Sequence, residues 1–198
     1  RNYWKPGREN IEQFSPDDSD NPYLVAYEHT NGFDRNRLTG NVQAVVDITK
    51  DLSLMVRTGL DMYNEEHETK RPFSSKRFKF GGYGVDHSYF KEQNTDFLLS
   101  YKKTLNQDWS FGLSVGGNQM NQTSRNSAQR TESLSIPGIY NISNARAGTI
   151  TNTQYNSRKR INSLYGMGQA SFKDMVFLDV TGRNDWSSTL PKGNNSYF

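Results

Sequence analysis

From Leu38 onward, apolar and polar residues alternate. Leu38, Gly40, Val42, Ala44, Val46 and Ile48 fall on one side of the chain, and Thr39, Asn41, Gln43, Val45, Asp47 and Thr49 on the other. A period of two over about 11 residues predicts a β-strand standing between two unlike environments. After Thr49-Lys50-Asp51 the alternation resumes, with Leu52, Leu54, Val56, Leu60 and Met62 opposite Ser53, Arg57, Gly59, Asp61 and Tyr63, which completes a hairpin. The module recurs. Phe97, Leu99, Tyr101 and Leu105 lead through Asn106-Gln107-Asp108 to Trp109, Phe111, Leu113 and Val115, opposite Ser110, Gly112, Ser114 and Gly116. A third copy runs from Ser163 to Phe172, turns at Lys173-Asp174-Met175 and continues through Val176, Leu178, Val180 and Gly182. Its first strand leaves the register open, because Tyr165 and Met167 compete with Leu164 and the small residues Gly166, Gly168 and Ala170 for the apolar side.

Connection lengths carry the architecture further. The turns inside hairpins are three residues each, whereas the links between hairpins span 64–94 and 119–160, 31 and 42 residues. Loops beyond about 12–15 residues are uncommon in a compact soluble domain. Strict alternation of short and long connections is what outer-membrane barrels require, with tight periplasmic turns, long extracellular loops and strands of about 9–11 residues. The expected fold class is therefore all-β: a segment of a large antiparallel transmembrane β-barrel of about six strands in three hairpins. Its parts are 1–37 as mainly extracellular loop, 38–63, 95–118 and 163–185 as barrel hairpins, and 64–94 and 119–160 as extracellular loops. Six strands cannot close in lipid, since barrels begin at about 8, so further wall is expected elsewhere. The remaining possibility is a secreted all-β carbohydrate-binding module, a soluble two-sheet sandwich in which the lipid-facing assignment fails.

Composition fits the barrel. Of 198 residues only 33% are hydrophobic although 13% are aromatic, and mean hydropathy is −0.88. Alternate lipid contact explains so polar a membrane chain. The apolar run Met175-Val176-Phe177-Leu178 is far short of the roughly 18 residues of a membrane-crossing helix. There is no cysteine, which excludes disulfides, zinc-thiolate sites and a thiol nucleophile. A net charge of +3 is too small for a nucleic-acid footprint. Arg1 is followed by no secretory signal pattern and Asn194-Asn195-Ser196-Tyr197-Phe198 closes no fold, so both ends read as internal to a longer chain.

Certain residues in this order resemble the barrel of SusC/RagA-type TonB-dependent outer-membrane transporters. They are Asn21-Pro22-Tyr23, then Asp34-Arg35-Asn36-Arg37-Leu38-Thr39-Gly40-Asn41, then Asp47-Ile48-Thr49-Lys50-Asp51-Leu52-Ser53-Leu54. Later come Tyr165-Gly166-Met167-Gly168-Gln169-Ala170-Ser171-Phe172-Lys173-Asp174 and Arg183-Asn184-Asp185-Trp186-Ser187-Ser188. The matching stretches cover about half the chain, with Leu24 where that family often has Trp. The resemblance implies a barrel of roughly 22 strands around a plug, of which the plug lies outside these residues. It further implies a SusD-like surface lipoprotein and a TonB complex as partners, outer-membrane lipid around the wall, and a glycan or peptide as cargo.

Candidate chemistry is sparse. His29, His67 and His87 form no paired metal motif. Glu65-Glu66-His67-Glu68 has metal-ligating types but reads better as a solvated loop tip. Asp17-Asp18-Ser19-Asp20-Asn21 has oxygen ligands for calcium yet lacks the Gly and final Glu of an EF-hand. Neither a metal nor a cofactor is assigned. Lys70-Arg71-Pro72-Phe73 and Lys76-Arg77-Phe78-Lys79-Phe80 mix basic and aromatic residues as single-stranded nucleic-acid grooves do. A basic loop facing lipopolysaccharide, a lipoprotein or another loop is preferred, and nucleic acid is not expected. Gly81-Gly82-Tyr83-Gly84 lacks the Lys-Ser/Thr of a phosphate loop. Asp179 and Asp185 lie about 20 Å apart along one strand, too far for glycosidase chemistry, so no catalytic residue is assigned. The residues expected to touch cargo are the loop aromatics Tyr83, Tyr89, Phe90, Tyr140 and Tyr155, since such rings stack on sugars or hold peptide side chains. Trp4 is of the same type. Trp109 is expected at the periplasmic interface. Lys103, in the apolar register, is expected to reach that interface.

Overall fold

The computed structural model describes residues 3–15, 19–191 and 193–197. A short helix, α1 (Pro22–Glu28), precedes six long strands: β1 (Thr30–Asp47), β2 (Leu52–Phe73), β3 (Phe80–Thr104), β4 (Trp109–Thr131), β5 (Ile150–Phe172) and β6 (Val176–Ser187). A two-residue strand, β7 (Ser196–Tyr197), ends the order. Consecutive long strands are antiparallel, and all seven strands lie in one sheet in sequence order, with β1 and β7 at its two ends. One sheet in this order is not the two-layer sandwich considered from the sequence.

The strands outrun the predicted hairpins. β3 has 25 residues and β4 and β5 have 23 each, against about 9–11 for a crossing strand. The spans 64–94 and 119–160, expected as loops, are therefore mostly paired strand. The connections between β2 and β3 and between β4 and β5 occupy only 74–79 and 132–149. The span 1–37 likewise holds α1 and the start of β1. Alternating hydropathy reports where a strand meets an apolar medium, and pairing continues beyond that limit because backbone groups still need partners. At α1 the chain turns helical because Asn21 Oδ1 accepts the Tyr23 N–H at 2.9 Å and Pro22 supplies a preset φ at the first turn. The calcium-like run falls partly on Asp17 and Asp18, which lie outside the described residues.

Two compact units divide the chain. Unit 1 comprises 1–36, 63–89 and 124–156. Among the described residues it contains all the buried hydrophobic side chains, Tyr3, Leu24, Phe73, Ala128 and Leu134. Its 132–149 connection is pinned from within. Asn144 donates to the carbonyls of Ile136 and Ile139 at 2.9 and 2.7 Å and accepts the Ile136 N–H at 3.1 Å. The Arg146 guanidinium lies 3.7 Å from the Phe80 ring centroid.

Unit 2 comprises 37–62, 90–123 and 157–198 and has no buried hydrophobic side chain among the described residues. Its apolar side is open instead. Val42 is 74% exposed, Leu113 58% and Leu178 62%. The β5–β6 register, Phe172 opposite Val176, Ala170 opposite Leu178 and Gly168 opposite Val180, resolves the face left open by the sequence. Leu164 shares the apolar side, while Tyr165 and Met167 stand opposite Arg183 and Thr181 on the polar side. The three-residue β5–β6 turn has Lys173 and Asp174 both at positive φ, 52° and 53°, and the Met175 N–H donates to Phe172 O at 3.0 Å to close it. Lys103 pairs with Asp51 beside the β1–β2 turn, so its charge is neutralised at the strand end. Trp109 packs against Phe172 at 4.7 Å and Phe111 at 5.7 Å between ring centroids.

Candidate functional site

The polar side of unit 2 is organised by arginine–carboxylate forks. Arg57 on β2 donates to both oxygens of Asp96 on β3 at 3.1 and 2.7 Å, and Arg37 does the same to Asp61 at 2.8 and 2.6 Å. Arg183 donates to Asp185 at 2.9 Å and to Ser163 Oγ at 3.1 Å. Adjacent strands place these residues on one face because each occupies the polar register of its own strand. A cleft of about 630 Å³ opens there, lined by Arg57, Asp96, Asn118, Tyr165, Thr181 and Arg183. The Tyr165 ring covers Gly116, where an added Cβ would lie 2.5–2.7 Å from its outer atoms. The cleft offers an aromatic face, amide and hydroxyl groups and forked charges held by their partners. That set suits noncovalent contact with a polar solute, and it contains no nucleophile–base pair.

In unit 1 a second cleft of about 400 Å³ is lined by residues including Asp34, Asn64, Glu66, His87, Tyr89 and Arg125. Arg125 lies over the Tyr89 ring at 5.8 Å, and His87 Nδ1 is 3.4 Å from Glu66. The acidic run beside it is divided between partners: Glu65 binds Arg35 and His67, while Glu68 pairs with Lys70 at 2.7 Å and accepts from Tyr83 at 3.1 Å. No group of three His, Asp or Glu able to hold a metal occurs among the described residues. Part of the basic–aromatic run has internal partners. Arg71 donates to Thr30 O and Asn31, Arg77 lies 3.7 Å from Glu132, and Phe73 meets Phe80 edge-on at 6.4 Å.

The five expected cargo aromatics fall on β3, on β5 and in the 132–149 connection. Tyr89 lines the unit 1 cleft. Tyr83, on β3, is tied to Glu68. Phe90 belongs to unit 2. Tyr140, in the 132–149 connection, is half-buried, and burial followed by the nearby Glu28 charge pushes its hydroxyl up to about 12. Tyr155 on β5 is 63% exposed. The Arg57–Asp96 fork and Tyr165 were not singled out as contacts from the sequence. The available signal was charge of both signs in the polar register of neighbouring strands.

Unit 1 also holds a polar knot at its connection 74–79. Asp20 accepts from Gln13 Nε2, the Lys76 N–H and Ser75 Oγ at 2.8, 2.8 and 2.9 Å, and His29 Nε2 lies 3.2 Å from Ser75 Oγ. Burial raises the Asp20 carboxyl, but these hydrogen bonds and His29 outweigh it and hold it below the ordinary carboxylate range. Burial, assisted by Arg71, lowers His29 against the opposing pull of Asp20.

No family model matches the chain. No curated protein matches it either. Solved structures do: the RagAB peptide transporter superposes with a TM-score of 0.74 at 16% identity, over 89% of this chain and 20% of that one. The chain shares the fold of a RagA barrel segment. The RagAB peptide importer in its closed-closed state gives 0.71 at 16% identity over 84% and 19%, and in its open-open state 0.74 at 16% over 89% and 20%. The chain thus spans about a fifth of the length of the structures it matches. The hairpins whose sequence resembles the SusC/RagA pattern fold as RagA strands do, and at this identity the likeness to RagA is one of fold.

Proposed function

We propose that the chain is part of the barrel wall of a SusC-like, TonB-dependent importer in the outer membrane of a Gram-negative bacterium. The observation that carries this reading is the open apolar side of unit 2, with no buried hydrophobic side chain among the described residues, on strands that share the RagA fold. Such a side is stable where lipid covers it, and the opposite side is polar as a solute path requires. Cargo is an oligosaccharide or a peptide, and the peptide transported by RagAB supports the latter. Transport needs a plug and TonB complex outside these residues and a SusD-like surface lipoprotein, and the chain itself has no catalytic role. In this reading the distal parts of 64–94 and 119–160 face the cell exterior, and Tyr83, Tyr89, Phe90, Tyr140 and Tyr155 contact cargo or the lipoprotein. The rival reading, a secreted carbohydrate-binding module, finds no second sheet among the described residues to cover the exposed apolar ones.

The test is uptake of labelled peptide and oligosaccharide mixtures by cells with and without the full-length protein. A protonophore should abolish the protein-dependent fraction. Uptake unchanged by the deletion, or insensitive to the protonophore, would overturn the importer reading.

A further inference from the structure

On the apolar side of unit 2 the hydrophobic rows stop at Leu164 on β5 and Val115–Gly117 on β4, and a different surface begins. Gln119 Nε2 donates to Asn162 Oδ1 at 3.0 Å, and in the next row Arg160 Nε donates to Asn121 Oδ1 at 2.8 Å. Continuing that register puts Arg158 opposite Thr123. On β6, Trp186 pairs with Asn162, and just past its end Ser188 Oγ accepts the Arg160 N–H at 2.9 Å. An indole on this side at this level has the position of an interfacial girdle residue. Arg160 and Arg158 occupy the rows just beyond it and, with Asn121, Thr123 and Ser188, line a cleft of about 410 Å³.

The arginines of unit 2 divide by side. Arg37, Arg57 and Arg183, on the polar side, each hold a carboxylate. Arg158 and Arg160 form no ion pair among the described residues, and no acidic residue lines their cleft. Alternate residues of a strand stand roughly 7 Å apart along it on the same face, so both guanidiniums can reach a single phosphorylated headgroup. Guanidinium forks with nearby hydroxyl and amide donors are the chemistry that recognises phosphate.

We infer that Arg158 and Arg160 form a phosphate-binding site for an anionic lipid headgroup of the outer leaflet, seated just above the lipid-facing band. The inference rests on the barrel-wall reading and adds a specific lipid contact to it. Both side chains are exposed, so their replacement leaves the strand pairing in place.

The test uses the full-length protein in phosphatidylcholine nanodiscs, supplied with a diphosphorylated acyl-glucosamine lipid or its dephosphorylated counterpart, with lipid retention read by native mass spectrometry. The wild type should retain the phosphorylated lipid about tenfold better than the R158Q/R160Q variant, with the preference falling at high salt. Equal retention by wild type and variant overturns the site. Full competition by inorganic phosphate at equal concentration also overturns it, because the site then binds free anion rather than a headgroup. A spin label at Leu164→Cys separates the two levels of argument. A label accessible to oxygen and shielded from aqueous nickel, together with equal retention, sinks only the phosphate site, whereas a water-exposed label sinks the barrel-wall reading itself.

Discussion

The Tyr165 ring lies over Gly116, and a Cβ built at Gly116 would come within 2.5 Å of it. The two residues pin neighbouring strands β4 and β5 on the polar side of unit 2, where a missing side chain on one strand receives the ring of the other. G116A must push that ring aside, and overpacking of this kind costs about 1–3 kcal/mol. The cost should largely vanish in a Y165S background, because a short side chain leaves the space free. Urea unfolding of the full-length protein in detergent, run as a double-mutant cycle, measures the coupling. Additive effects would mean that ring and glycine do not meet.

The side assignment makes a sharper claim about β1. Val42 is 74% exposed on the apolar side, and Gln43 faces the other way. V42R should cost about 2–4 kcal/mol of stability in a bilayer, while Q43R should be mild. The pair is read by folding equilibrium into lipid vesicles. Equal penalties would contradict the assignment of sides.

These cases show how far the sequence could be read. The alternation from Leu38 to Ile48 and from Leu52 to Met62 located the hairpin and its sides, because a strand between unlike environments alternates apolar with polar residues. The same logic was blind where both faces of a strand are polar. Residues such as Glu66, His87 and Arg125 are polar on both faces of paired strand, so they looked like loop. Tyr165 was ambiguous because aromatics suit either face, and only the register with Arg183 assigns it. The cargo aromatics were chosen by residue type and expected loop position, and neither says which rings meet. The Asp20 knot depends on contacts between residues as distant in sequence as Gln13 and Ser74, which no local pattern announces.

Arg57 and Asp96 share two hydrogen bonds across β2 and β3, with the carboxylate only 6% exposed and the guanidinium about half exposed. R57A leaves a buried acceptor without its fork and should cost about 1–3 kcal/mol. R57K restores charge but not the planar geometry and should fall between wild type and R57A. D96N keeps the shape and one acceptor, so it should be milder than R57A. Denaturant midpoints of the full-length protein rank the three, and R57K matching R57A would mean that the charge contributes nothing there.

Acid should loosen unit 1 in two stages with the same sign. His29 titrates below its ordinary value of 6.5 in the folded chain because burial and Arg71 disfavour the imidazolium. The unfolded chain therefore takes up the proton first, and stability present above about pH 6.5 declines as pH falls toward the folded value, below which both states are protonated. Asp20 is held below its ordinary 3.8 by Gln13, Lys76 and Ser75. Its contribution is present above the unfolded value and is lost as pH falls through the depressed one. Protection factors of the amides in the 74–79 connection, which take out the acid slowing of intrinsic exchange, should therefore fall first below about pH 6.5 and again below about pH 4. H29Q should remove the first step and leave the second, and D20N the reverse. A single transition untouched by H29Q would refute the contribution of His29.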